Sequence, residues 1–400
     1  MTERRFRTRG QPAAVGALEA MLASQVPHAL LLVGPPGSGK TTLALDLAAA
    51  LLCRASDPSA RPCRECRACR AVAHGNHPDL HRLGPSGAGA VIPIGGRDER
   101  GVRDLAGELA LLPVEGGARV AIVEAAHRMT EDAQSALLKT LEEPPSATTL
   151  ILCADEEERL LPTIRSRCVR LRLGAVGARD IEAILADHGA ADAAAAARAA
   201  RLATGRPGVA LAYAAAPHAA VIRGEMARTL LDLRSASRTD RLAGIRDLAA
   251  RAGELLRELD SGARRAAQSD SNQASPIEAG STQPPAAPRG PARATADPEA
   301  DEPAEGRGAP RVPAAERRAA AIALVAVWRD VLRDLAAVTL DDRRLVRDLD
   351  LLDDLEAAAA TISPGEVATG LRRLDVAGER LEGNVSPELV LDVLALQYGR

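Results

Sequence analysis

Residues 34–41 read Gly-Pro-Pro-Gly-Ser-Gly-Lys-Thr, matching the spacing G-x-x-x-x-G-K-[ST]. Chemistry of one kind suits that run. Gly34, Pro35, Pro36, Gly37, Ser38 and Gly39 form a loop in which the glycines let backbone N–H groups turn inward around phosphate oxygens. Lys40 can reach the β and γ phosphates, the Thr41 hydroxyl can ligate Mg²⁺, and a helix beginning here adds the positive end of its dipole. Thr42 completes the candidate nucleotide-binding set. The chain has two lysines, Lys40 and Lys139, among 51 basic residues, so a compact ammonium stands where arginine is otherwise the rule. ATP or ADP with Mg²⁺ is the expected ligand.

Hydrolysis needs more than a cradle. A strand-end carboxylate must hold the magnesium and a second must activate water. The run Arg119 to His127 offers Glu124, which can hold the ion through water, and then Ala125, which has no proton-accepting group. Binding is therefore expected and catalysis in cis is not. A second centre follows the loop: Cys53, Cys63, Cys66 and Cys69 form C-x₉-C-x₂-C-x₂-C. Four thiolates on short loops suit a closed tetrahedral Zn²⁺ site, favoured over free thiols or an iron–sulfur centre. With no open position the role is structural. His74, His77 and His81 stand near it but outside a shell that four cysteines complete; Cys153, in an apolar run, reads as a core residue.

The elements that must position these groups follow from periodicity. Ala29–Val33 reads as a buried strand, the glycine loop follows, and Thr41–Leu52 reads as helix. Val120–Val123 and Leu150–Cys153 are two more buried strands. Between them Thr130 caps a helix carrying Glu131 and Asp132 in its first turn and stopping at Pro144 and Pro145. This is an α/β pattern with a parallel sheet. From Ala178 onward the strands vanish. An alanine-rich helical stretch runs to Ala203, and Leu230–Leu259, Ala315–Val338, Leu345–Ala360, Pro364–Leu381 and Pro387–Leu396 read as helices. Between Ser261 and Pro313 lie nine of the 26 prolines, with Ile277 and Val312 as the only large aliphatics, so a disordered insertion is expected there. The boundaries implied are 1–173 for the α/β unit, with the cysteine module at about 53–81, then 174–225 and 226–400 for a small and a larger helical unit.

Composition removes several alternatives. Four hundred residues, 46% of them apolar, suit two or three domains with cores, and a net charge of −3 gives no overall field for DNA or an anionic membrane. Phe6, Tyr213, Trp328 and Tyr398 are the whole aromatic set, too few for a base-stacking platform. No run of 18 uncharged apolar residues exists, so no membrane span is expected. Arg4, Arg5, Arg7 and Arg9 resemble the start of a signal peptide, but Gln11, Glu19 and Gln25 interrupt its apolar part. A cytoplasmic location is expected, and six cysteines are too few for a disulfide scaffold.

Taken together, the phosphate loop, the cysteine insertion behind it, the run Ser135 to Pro145 (Ser-Ala-Leu-Leu-Lys-Thr-Leu-Glu-Glu-Pro-Pro) and the run Leu160 to Cys168 (Leu-Leu-Pro-Thr-Ile-Arg-Ser-Arg-Cys) resemble the bacterial DNA polymerase III clamp loader, of the AAA+ class. The resemblance covers residues 11 to about 210, with a weaker match at Asn384–Leu391. It implies an AAA+ domain, a helical lid and an all-α C-terminal collar. It also implies that Arg167, in Ser-Arg-Cys, is an arginine finger acting in trans on the γ-phosphate of a neighbouring subunit. Three departures favour δ′ subunits over the γ/τ motor: Ala125, Ala154-Asp155 where motors carry Thr-Thr, and Gly205-Arg-Pro-Gly208, which loses a sensing arginine at Gly208. The complete phosphate loop is unusual for δ′. The implied role is a largely non-hydrolysing stator in a hetero-oligomeric ring with γ/τ and δ subunits, loading a sliding clamp on primed DNA, with no membrane partner. The competing readings are a γ/τ-like active ATPase and a zinc-dependent nucleic-acid binder using Arg61, Arg64, Arg67 and Arg70. Lys139 is expected to be an exposed helix charge paired with Glu142 or Glu143.

Overall fold

The structure is a computed structural model that describes residues 5–86, 90–96, 99–115, 117–190, 192–273, 312–383 and 385–398. Its first half alternates helices α1 (Pro12–Ala23), α2 (Lys40–Leu52), α3 (Arg67–Ala73), α4 (Val102–Ala110), α5 (Glu131–Glu142) and α6 (Pro162–Arg167) with strands β1 (Ala29–Val33), β2 (Leu80–Leu83), β3 (Arg119–Val123), β4 (Thr148–Ala154) and β5 (Val169–Arg172). The strands form one parallel sheet in the order β2-β3-β4-β1-β5. Every residue of β1, β3 and β4 is buried, as expected for strands covered on both faces. The two-residue period divides them. Leu30, Leu32, Ile122, Ile151 and Cys153 join α1 and α2 in one core; Leu31, Val33, Ala121, Val123, Leu150 and Leu152 join α4 and α5 in the other.

The three expected strands are present, each within a residue or two of its expected ends. The two that periodicity did not predict, β2 (Leu-His-Arg-Leu) and β5 (Val-Arg-Leu-Arg), are the short edge strands. His81, Arg82, Arg170 and Arg172 interrupt them, so neither presents the apolar run that marks a central strand.

The second half is helical: α7 (Ala178–Asp187), α8 (Ala193–Leu202), α9 (Pro207–Ala215), α10 (Pro217–Asp232), α11 (Arg238–Gln273), α12 (Ala314–Thr339), α13 (Leu352–Ala359), α14 (Pro364–Glu382) and α15 (Pro387–Gln397). One continuous buried cluster runs through them from Val176 to Ala395. Trp328 lies within it, edge-on to Tyr398 with ring centroids 4.6 Å apart. Three expectations need correction. The helix expected over Leu230–Leu259 is broken after Asp232, because Ser237 Oγ accepts the Asp240 N–H (3.2 Å) and starts α11 afresh. The start of the helix expected at Leu345 is replaced by short 3-10 turns, Arg343–Leu345 and Leu349–Leu351, where Asp348 turns inward. Finally, α11 continues to Gln273, so residues 261–273 of the expected disordered insertion are helical; positions 274–311 of that insertion lie outside the described residues.

Candidate functional site

The loop from Gly34 to Gly39 joins β1 to α2, as phosphate chemistry requires. Gly37 and Gly39 have φ of +77° and +97°, the left-handed region that glycine enters without strain. At Gly34 the reason is space: a Cβ would stand 2.4 Å from the Leu173 carbonyl oxygen. Ser38 is buried with its Oγ unpartnered, and α2 starts at Lys40 without a side-chain cap. The loop lines a cavity of about 710 Å³ that also takes in Thr41, Thr42, Glu124 and Asp155. Of the expected nucleotide-binding residues, those from Pro36 to Thr42 and Glu124 line this opening, while Gly34 and Pro35 stand behind it.

Lys40 is buried and fully engaged. Its Nζ donates to the Gly34 and Pro35 carbonyl oxygens, each at 2.8 Å, and lies 2.6 Å from Asp155 Oδ1. Asp155, at the end of β4, is therefore a site residue that motif reading placed only as a departure from a Thr-Thr pair. Its backbone N–H donates to His127 Nδ1 at 3.2 Å. Burial holds His127 below its ordinary pKa, against the opposing pull of Asp155 and Glu156. Glu124 lines the cavity but is gripped by Arg82, whose Nε donates to Oε1 at 2.8 Å. Ala125 follows it in a left-handed backbone conformation (φ +50°) with no acceptor to offer water. Cys153 is a core residue, its thiol pushed up to about 12 by burial.

Gly208 meets the loop directly. Its N–H donates to the Gly37 carbonyl at 3.0 Å, and a Cβ would stand 3.3 Å from Gly37 Cα. Two further residues hold the site together and had no motif to mark them. Gln11 bridges the loop to the start of the helical half, donating to Ser38 O (3.3 Å) and Gly174 O (2.7 Å) and accepting the Gly174 N–H (3.1 Å). Asp46 on α2, buried, accepts the N–H groups of Arg7 (3.1 Å) and Thr8 (2.8 Å) and pairs with Arg64 of the cysteine module.

The sulfur atoms of Cys53, Cys63, Cys66 and Cys69 all lie within 4.8 Å of one another. A tetrahedron with Zn–S bonds of about 2.3 Å has edges of about 3.8 Å, so the set can close on one ion by small rotamer changes. Backbone N–H groups of Ala55, Cys63, Cys66 and Cys69 each lie 3.4 Å from a cluster sulfur, a donor set that favours thiolates. Burial alone would raise the Cys66 thiol, but the N–H groups of Arg54 and Cys69 outweigh it and bring it to about 7. Among the described residues no histidine joins the cluster: His77 Nε2 faces Glu115 at 3.7 Å and His81 Nδ1 faces Glu108 at 2.8 Å.

Arg167 ends α6 on the surface, its guanidinium 2.7 Å from Glu142 and donating to the Thr163 carbonyl at 3.0 Å. Glu142 is thus taken by Arg167, and the expected pairing of Lys139 with Glu142 or Glu143 is not formed within 4 Å. Among the described residues no helix is long and apolar enough to cross a membrane.

A glycine loop between β1 and α2 of a parallel β2-β3-β4-β1-β5 sheet, followed by helices that reach back to that loop, is the architecture of an AAA+-type P-loop fold. The comparisons with known proteins narrow the class. Residues 10–176 match the family model described as DNA polymerase III, delta subunit. The DNA polymerase III subunit delta' of Pseudomonas aeruginosa is 44% identical over 147 residues, which are 37% of this chain and 43% of that one. The subunit gamma/tau of Mycobacterium tuberculosis is 38% identical over 170 residues, 42% of this chain and 28% of that one. The chain spans less than half the length of these relatives. A solved DNA polymerase III gamma subunit-related protein of Thermotoga maritima is 14% identical over 97% of this chain and all of its own, with a TM-score of 0.37. The resemblance to DNA polymerase III delta' subunits is borne out over the matched region.

Proposed function

We propose that this chain is a δ′-type subunit of the DNA polymerase III clamp loader, a cytoplasmic stator that lends Arg167 to the nucleotide site of a neighbouring motor subunit. The observation that carries this reading is a complete phosphate loop beside Ala125, whose own side chain has no group to activate water. The partners are γ/τ and δ subunits in a hetero-oligomeric ring, with the sliding clamp and primed DNA reached through the complex. Residues 1–173, 174–225 and 226–400 serve as nucleotide-binding domain, lid and collar. Cys53, Cys63, Cys66 and Cys69 hold a structural Zn²⁺, and the cavity at Gly34–Thr42 and Glu124 takes ATP or ADP with Mg²⁺.

Arg167 suits its task because it is already at the surface. Exposed ion pairs are worth about 0–1 kcal/mol, so the contact with Glu142 yields readily to a phosphate docked by a neighbour. A fixed guanidinium there offsets charge developing on the transferring phosphoryl group. The test is reconstitution with the motor subunits: Arg167→Ala assembles normally while the complex loses most of its clamp-stimulated ATP hydrolysis, and unchanged turnover removes the trans role. The intact phosphate loop supports a second reading, an active γ/τ-like ATPase. It is favoured if the pure chain turns over ATP at a rate abolished by Lys40→Ala.

A further inference from the structure

We propose that Asp155 makes the phosphate cavity selective for a nucleoside diphosphate, because its carboxylate stands at Lys40 where the terminal phosphate of a triphosphate would be received. This rests on the reading of Gly34–Thr42 as a phosphate site and names the ligand class that site takes. Two observations mark the cavity as built for a ligand: its volume of about 710 Å³, and the buried Ser38 Oγ that lines it without a partner.

An ammonium has three donors. Those of Lys40 are accounted for by Gly34 O, Pro35 O and Asp155 Oδ1. In a loop of this type the lysine serves the β and γ phosphates. A β-phosphate still finds the N–H groups of Gly37 and Gly39, the open start of α2 and the hydroxyls of Thr41 and Thr42, the Gly34 and Ser38 N–H groups being taken by Ala154 O and Pro35 O. A γ-phosphate must compete with Asp155 for the lysine and then lie against its negative charge.

Asp155 is held there from the other side, its N–H donating to His127 Nδ1 at the end of β4. Of the nearby cations three are already paired, while Arg7 stays exposed at the cavity wall. Arg9 pairs with Asp187, Arg64 with Asp46 and Arg82 with Glu124, each already balanced. Gly208 brings only a backbone N–H to the loop, and spends it on the Gly37 carbonyl. A diphosphate thus keeps the helix start and the threonine hydroxyls and must share Lys40 with Asp155, while the third phosphate in addition brings its charge against that carboxylate.

The experiment measures Mg-ADP and Mg-ATP binding to the full chain by titration calorimetry, for wild type, Asp155→Asn and Asp155→Thr, with zinc content and melting temperature as folding controls. Wild type is expected to bind ADP at least about tenfold more tightly than ATP. Both variants are expected to tighten ATP about tenfold while ADP moves by less than about threefold. Equal ADP and ATP affinities in wild type, lost together in Lys40→Ala, overturn the selectivity and leave the phosphate site standing. A wild-type preference that neither substitution changes overturns the role of Asp155. Folded protein that binds neither nucleotide in wild type or variants overturns the phosphate-site reading and this inference with it.

Discussion

Lys40 and Arg223 are both buried cations resting on aspartates, and the difference between their surroundings separates what works from what merely supports. Arg223, on α10, donates to Asp348 Oδ2 at 3.1 Å and to Asp330 Oδ2 at 3.2 Å, with Asp348 itself buried. Helices close over that pair, and Asp334 accepts the Asp348 N–H (3.1 Å) behind it. Lys40 makes a comparable contact with Asp155 at 2.6 Å, but at the wall of an open cavity. The same attraction is a fastener where no ligand can enter and a gate where one can. The cysteine module belongs with Arg223: its donors point at one another and leave no room for a substrate.

The comparison breaks most visibly at the closed sites. Chelation of the metal, or Cys66→Ser, is expected to release one zinc per chain and open residues 53–73 to protease, a structural zinc being worth of order 10 kcal/mol of binding; metal analysis with limited proteolysis reads both. Next comes Arg223→Ala, expected to cost about 3 kcal/mol in urea denaturation because Asp348 stays buried with only the more distant Arg198, at 3.6 Å, to balance it. Lys40→Ala should cost about 1 kcal/mol or less, since the partly exposed Asp155 rehydrates. Equal losses for the two would erase the distinction between fastener and gate.

A smaller effect is expected from pH. Burial lowers the pKa of His77 and His127 relative to the unfolded chain. The unfolded state then binds more protons below the ordinary histidine value of about 6.5, so stability is full above that value and falls as the solution is acidified through it. Each ring accepts a backbone N–H at Nδ1, from Asp79 and Asp155, which protonation would cancel. The melting temperature should drop between about pH 7.5 and about pH 5.5. His127→Asn should flatten that profile; an unchanged slope removes His127 as a contributor. Smallest of all, Arg167→Ala should shift unfolding by less than about 0.5 kcal/mol, as befits an exposed side chain. A larger loss would move Arg167 into the same class as Arg223.

What the sequence made legible was local. The phosphate loop and the four cysteines declare themselves because their chemistry depends on spacing within a few tens of residues, and the central strands because burial on both faces demands unbroken apolar runs. The roles of Asp46, Gln11 and Asp155 depend on partners far along the chain: Gln11 meets Gly174, Asp46 meets Thr8, and Asp155 meets Lys40. No periodicity encodes those meetings. The edge strands β2 and β5 escaped for a related reason, since half-solvated strands dilute the signal that buried ones concentrate.

Gly208 stitches the nucleotide loop to α9 by a backbone bond, and α9 shares one unbroken core with the helices out to α15. Among the described residues the loop and the helical half are thus joined by a direct backbone contact as well as by the chain between them. A side chain placed at 208 would press on the loop at Gly37 and on the start of α9 together.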